Sequence, residues 1–195
     1  MQSGCEHESF ARPAIQTALR SADLPPGYQL DVQSEAAEIR QAEALFRRAL
    51  DRQPDHVEAR LRLGRALFMR GRAQDAAEEL RRAHAAAGDD LLKYYAAMFL
   101  GRAEEALGNF EAASDLYSGA STLYPNAQSP HVAHSALARR RGDRAGALAA
   151  MERVFELAAN YPDGDDPWWT YDPAAGRDQE RLLDSLKQMV AAVPQ

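Results

Sequence analysis

The feature that most constrains this chain is a spacing. Four segments align so that Ala42, Ala76, Ala113 and Ala147 fall in register. Four residues on come Phe46, Leu80, Tyr117 and Met151, and three further on Ala49, Ala83, Ala120 and Val154. The steps between copies are 34, 37 and 34 residues. A small residue, a large one at i+4 and a small one at i+7 share one face of an α-helix. The small positions admit a neighbouring helix closely, and the large one fills the gap between. Glycines keep the same step: Gly71, Gly108 and Gly142 each end a helical pattern, as glycine does where the chain needs φ > 0 just past a helix. Pro54 and Pro125 close second helices, and Gly88 takes the proline's place between them.

The best copies are LRLGRALFMRGRAQDAAEELRRA, residues 61–83, and LGRAEEALGNFEAASDLYSGASTLYP, residues 100–125. Both carry a Leu-Gly pair (Leu63-Gly64, Leu100-Gly101), the turn glycine and the Ala-large-Ala series; the second adds Phe110 after its turn. This pattern resembles the tetratricopeptide repeat (TPR), clearly over about residues 36–160, in the form met in bacterial proteins. The resemblance implies an all-α fold, a right-handed α-solenoid of antiparallel helix pairs, about four to five hairpins with a degenerate C-terminal cap. One hairpin cannot bury its own apolar face, so stacked neighbours supply the core and the ends need caps. The copies depart from the pattern in two places. His134-Ser135 stands where Leu-Gly is expected, which predicts looser packing in that pair. The first copy shows only its second helix, residues 35–53.

Composition agrees with packed helices. Much of the 46% apolar content is alanine, the best helix former, and aromatics are only 8%. A formal net charge of −6 argues against a general nucleic-acid binder, which needs a basic face to displace phosphate counterions. No run of 18 or more apolar residues stands in the sequence, so no spanning helix is expected.

In such an array the first helix of each pair lines a concave face, and the resemblance implies protein or peptide binding there without chemistry. The register places Glu58, Leu61, Arg65 and Phe68 on that face, then Tyr95, Met98, Arg102 and Glu105, then Ser129, Val132, Ala136 and Arg139. Arg65, Arg102 and Arg139 would form a guanidinium ladder beside aromatic and aliphatic surface, suited to acidic and apolar partner segments. Local pairing, such as Arg102 with Glu105, is the open alternative. Chaperone-binding TPR modules hold a terminal carboxylate with Asn and Lys/Arg on these helices. The asparagines here, Asn109, Asn126 and Asn160, fall at turns or helix ends.

Signals for chemistry are weak. His131 and His134 have a spacing that could face a metal, but no third ligand stands nearby. YPDGDDP, residues 161–167, lacks the closing glutamate of a calcium loop and reads as a turn and helix cap. GNFEAASD lacks the Lys-Ser/Thr ending of a phosphate loop. No catalytic residue, metal or cofactor is expected, and the partner is an unidentified protein or peptide bound to a monomer. The rival reading is a structural or accessory subunit that assembles through its ends or convex face, with an envelope association.

Three units are expected: an arm over 1–34, repeats over 35–160 and a degenerate terminal repeat over 161–195. In the arm, residues 8–22 form a helix that replaces the missing one, and Pro25-Pro26-Gly27 begins an extended strap, PPGYQLDV. That strap is expected to act as a cap or, through Tyr28 and Leu30, as an internal ligand of the groove. Ser3-Gly4-Cys5 is similar to the tail of a bacterial lipoprotein cleavage box but lacks the apolar segment before it; an incidental cysteine is the alternative. The compartment stays open between cytoplasm and, with a leader removed before Cys5, periplasm. In DDPWWTYDP, residues 165–173, Trp168 is expected to be buried as the start of a truncated fifth repeat that seals the array. A second helix from about Asp178 follows, carrying Leu182, Leu186 and Met189. Trp169 and Tyr171 remain candidates for exposed aromatics open to a partner.

Overall fold

The computed structural model describes residues 26–161 and 166–171. Among the described residues every regular element is an α-helix. They are α1 (Pro26–Arg52), α2 (Val57–Met69), α3 (Ala73–Ala86), α4 (Asp90–Ala106), α5 (Phe110–Leu123), α6 (Ser129–Arg140), α7 (Arg144–Asn160) and the single turn α8 (Trp168–Tyr171). Helices α2 to α7 form three antiparallel pairs stacked side by side, with α1 packed on α2, which makes the chain an α-solenoid. No helix among them is long and apolar enough to cross a membrane.

The turns within the pairs follow from the glycines. Gly71, Gly108 and Gly142 have φ of 76°, 83° and 76°, a region that side chains disfavour. Each turn closes the same way: Gly71 N–H donates to Phe68 O at 2.9 Å and Arg72 N–H to Leu67 O at 3.0 Å. These bonds satisfy carbonyls that the helix end leaves open. The extra residues before α4 lengthen it at its start. Asp89 caps it by accepting from Leu92 N–H at 2.8 Å.

The Leu-Gly pairs set how closely the two helices of a pair approach. A Cβ on Gly64 would lie 2.4 Å from Leu80 Cγ, and one on Gly101 would lie 2.4 Å from Tyr117 Cε1. Leu80 and Tyr117 are fully buried as a result. Between α5 and α4, Tyr117 hydroxyl donates to Glu105 at 3.0 Å, and Arg140 of α6 braces the same carboxylate at 3.0 Å. Burial and the Glu105 charge push the Tyr117 phenol well above its ordinary pKa, so it stays a donor.

One expectation about the chain ends is corrected. From Pro26 on, the PPGYQLDV strap is helical, because Pro26 is the first residue of α1. Proline is well suited to that position, since its missing N–H would have no helical partner and its φ is already set. The first helix is therefore one continuous element into Arg52. Its Phe46 and Leu50 pack against the core, and its buried Glu43 gathers Arg70, Arg72 and Arg47. Of the truncated fifth repeat expected over 161–195, most lies outside the described residues, and the Trp168 turn is the part described. It lies back across the concave face, on helices two and three pairs earlier in the chain. The expected helix over 8–22, Cys5 and the terminal helix with Leu182, Leu186 and Met189 lie outside the described residues.

Candidate functional site

Helices α2, α4 and α6 line the concave face, and residues 166–171 lie across all three. Asp166 is the anchor, 3% exposed. Its Oδ1 accepts from Tyr94 hydroxyl at 2.8 Å and from Trp168 N–H at 3.0 Å, and its Oδ2 accepts from Ser129 N–H at 2.7 Å. Ser129 is the first residue of α6, so this N–H belongs to the positive end of a helix. Tyr95 hydroxyl donates to Pro167 O at 2.8 Å. Burial, then the Asp166 charge, push the Tyr94 phenol far above its ordinary pKa, which keeps it a hydrogen-bond donor.

Aromatic rings complete the contact. Trp168 packs on Phe99 at 4.7 Å between centroids. Tyr171 lies 4.5 Å from Tyr95 and 5.0 Å from Phe99, edge-on to the latter. The Arg65 guanidinium stands over Tyr171 at 5.6 Å and over Phe99 at 6.0 Å. Such contacts add specific geometry to simple burial. Trp169, one residue on, faces outward and is 65% exposed.

The seated segment is flanked by two cavities. One, about 570 Å³, is bounded by Phe46 of α1, Leu61 and Arg65 of α2, Tyr95 of α4 and Tyr171. The other, about 600 Å³, is bounded by Phe68, Met98, Arg102, Val132, Arg140 and Trp169.

The residues anticipated from the register divide accordingly. Leu61, Tyr95 and Met98 are buried walls of the cavities. Phe68 is half-buried, with the exposed Arg102 over its ring at 5.6 Å. Arg65 and Arg102 thus stack on rings. Arg139 is exposed, and its neighbour Arg140 lines the second cavity instead, pairing with Glu105 and standing over Phe110 at 5.8 Å. The ladder is therefore a set of ring-stacked guanidiniums with Arg140 at its far end. Trp168 is half-buried rather than buried, Tyr171 is half-buried in the groove, and Trp169 is the exposed ring. The cap expected of the YPDGDDP aspartates is present at Asp166, which caps α8. Its reach to Tyr94 and Ser129 had no local signal. Tyr94 and Phe99 were likewise outside the anticipated face.

The two helix histidines pack. His134 lies edge-on to Tyr117 at 5.7 Å, with Nε2 3.3 Å from Ser118 Oγ. Among the described residues no three His, Cys, Asp or Glu side chains converge as a metal site would require.

The architecture defines a class, the α-solenoid of stacked helical repeats with a concave face. Residues 29–90 match the tetratricopeptide-repeat family, in keeping with the stacked helix pairs. Among solved structures it is similar to residues 41-end of MamA from Desulfovibrio magneticus RS-1. That match has a TM-score of 0.60 at 22% identity and covers 78% of this chain and 90% of that one. A second MamA crystal structure aligns with a TM-score of 0.57 at 20% identity, over 71% and 77% of the two chains. A MamA RS-1 double mutant aligns at 0.58 and 24%, over 65% and 70%. At these identities the likeness is one of fold. No curated protein sequence matches the chain.

Proposed function

We propose that this chain is a non-catalytic interaction scaffold that holds a segment of a partner protein in its concave groove. The observation that supports it best is the cavity of about 600 Å³ beside Trp169, where Phe68, Met98 and Val132 offer apolar surface and Arg102 and Arg140 offer cations. An exposed tryptophan at the mouth of an apolar cleft with guanidiniums on its rim suits a segment bearing acidic and apolar residues. The register residues Leu61, Arg65, Phe68, Tyr95, Met98 and Arg102 act in this reading as walls and rim, with Arg139 outside the cleft.

The test is a displayed-peptide selection against the full chain, followed by calorimetry of the selected peptides. Arg102→Glu and Trp169→Ala should each weaken binding at least tenfold and leave the melting temperature unchanged, because both side chains are exposed. Full affinity in both variants would refute the groove reading. The structural-subunit reading is favoured by one observation: α7 exposes Leu148 and Phe155, seven residues apart on one helical face. Light scattering that shows a concentration-independent monomer would count against self-assembly through that face.

A further inference from the structure

Residues 166–171 are bound as a ligand would be. Within six consecutive residues, a carboxylate, a backbone carbonyl and two rings each meet a dedicated partner on the concave face. Asp166 fills a socket made by Tyr94 hydroxyl and Ser129 N–H. Pro167 O is held by Tyr95 hydroxyl. Trp168 and Tyr171, three apart on one turn, lie stacked at 6.5 Å with planes 16° apart and together cover Phe99. The two phenols that hold Asp166 and Pro167 are each 72 residues away along the chain, on an earlier repeat.

A structural cap would be placed differently. It would cover the apolar side of the last helix pair, where Leu148 and Phe155 are 58% and 66% exposed. The segment instead crosses the face that repeats of this class use for docking. Its polar contacts also do more than bury rings. A carboxylate that receives a phenol and a helix-terminal N–H is recognised by charge and direction, since both donors are fixed by their own helices.

We infer that the concave face carries a recognition site for an Asp-Pro-aromatic-x-x-aromatic segment, and that residues 166–171 occupy it in cis until a partner bearing the same chemistry displaces them. The inference rests on the groove reading and adds to it the ligand's sequence and a threshold. A tethered ligand competes at an effective concentration on the order of millimolar. A partner must therefore bind more tightly than the internal segment or arrive at high local concentration. Trp169 points out of the site and sits at the neighbouring cavity, so an arriving segment meets an aromatic surface before it displaces the rest.

The experiment uses the full chain and a fluorescein-labelled peptide with the sequence of residues 165–172, DDPWWTYD. In a released variant, Asp166→Asn with Trp168→Ala and Tyr171→Ala, anisotropy should show binding at least tenfold tighter than to the unaltered chain. The same peptide with Asn in place of its second Asp should lose at least tenfold in affinity. Tyr94→Phe added to the released variant should weaken the intact peptide, because it removes one donor from the socket. Circular dichroism melts establish that each variant is folded; Asp166→Asn alone serves if the triple variant is not. Equal peptide affinity for the unaltered and released chains would overturn the inference, as would indifference to the Asp-to-Asn change. Dimers of the unaltered chain that vanish in the released variant would overturn it too, making a second copy the partner. A display-selected peptide that binds both forms alike, yet still depends on Arg102, would overturn this inference while leaving the groove reading standing.

Discussion

The middle pair, α4 and α5, and the last pair, α6 and α7, are built on one register and differ at one crossing. In the middle pair Gly101 lies against Tyr117, whose ring is fully buried and whose hydroxyl reaches Glu105. In the last pair Ser135 stands at that crossing, its Oγ donating to Ala147 O at 3.0 Å, and Met151 opposite it is half-buried. The hydroxymethyl group takes the space a large partner would fill. The middle pair also has neighbours on both sides and a seated segment on its concave face. The lesson is that a repeat's depth of core is set less by the number of apolar residues than by whether a side chain is absent where two helices cross.

The largest expected effect breaks the middle pair. Gly101→Val should cost about 3 kcal/mol or more, because its Cβ alone would sit inside the Tyr117 ring contact and a buried ring has nowhere to go. Urea unfolding with unchanged m-value measures it. Ser135→Ala at the matching crossing should cost under about 1 kcal/mol, removing one hydrogen bond from a site that already holds a Cβ. If the two substitutions prove equally costly, the crossing is not what separates the pairs.

The next effect concerns the seated segment, whose rings rest on the middle pair. Trp168→Ala should cost about 2–3 kcal/mol, less than a fully buried tryptophan, since its ring covers Phe99 from one side. Tyr94→Phe should cost about 1–2 kcal/mol by leaving Asp166 one donor short. Thermal melts read both, and the order of the two is part of the prediction.

The smallest effect is a pH dependence seated in the last pair. Burial lowers the pKa of His134, and nearby His131 adds to it; burial and Arg153 lower that of His131. The unfolded chain takes up these protons near pH 6.5 while the folded chain resists them. This share of stability is therefore complete above that value and declines as pH falls below it. The melting temperature should drop on acidification from pH 7.5 to 5, and His134→Gln should flatten the drop. A flat profile in the unaltered chain would refute the assignment.

What could be read in advance was whatever repeats. The Ala-large-Ala face, the turn glycines and the Leu-Gly crossings are local and periodic, so each copy corroborates the next. Two positions depart from what the pattern predicts. Pro25-Pro26-Gly27 looked like a helix breaker, yet a proline at the first helical position interrupts no bond. The register aligns Arg139 with Phe68 and Glu105 and not with Arg65 and Arg102; one residue along a helix turns the side chain by about 100°, and Arg140 faces the cleft. The return of Asp166 to Tyr94 was beyond the sequence for a different reason. It depends on how far the stack curves, which is a sum of small rotations between pairs and is written in no single motif.

That return changes the mechanics of the array. A stack whose units touch only their neighbours deforms like a coil spring and can lose its end units one by one. Residues 166–171 join α2, α4 and α6 directly, as a chord drawn across an arc. While the chord is in place, the pitch of the superhelix is fixed and the pairs under it must open together. When it is drawn out, the same helices are free to flatten or tighten around whatever takes its place.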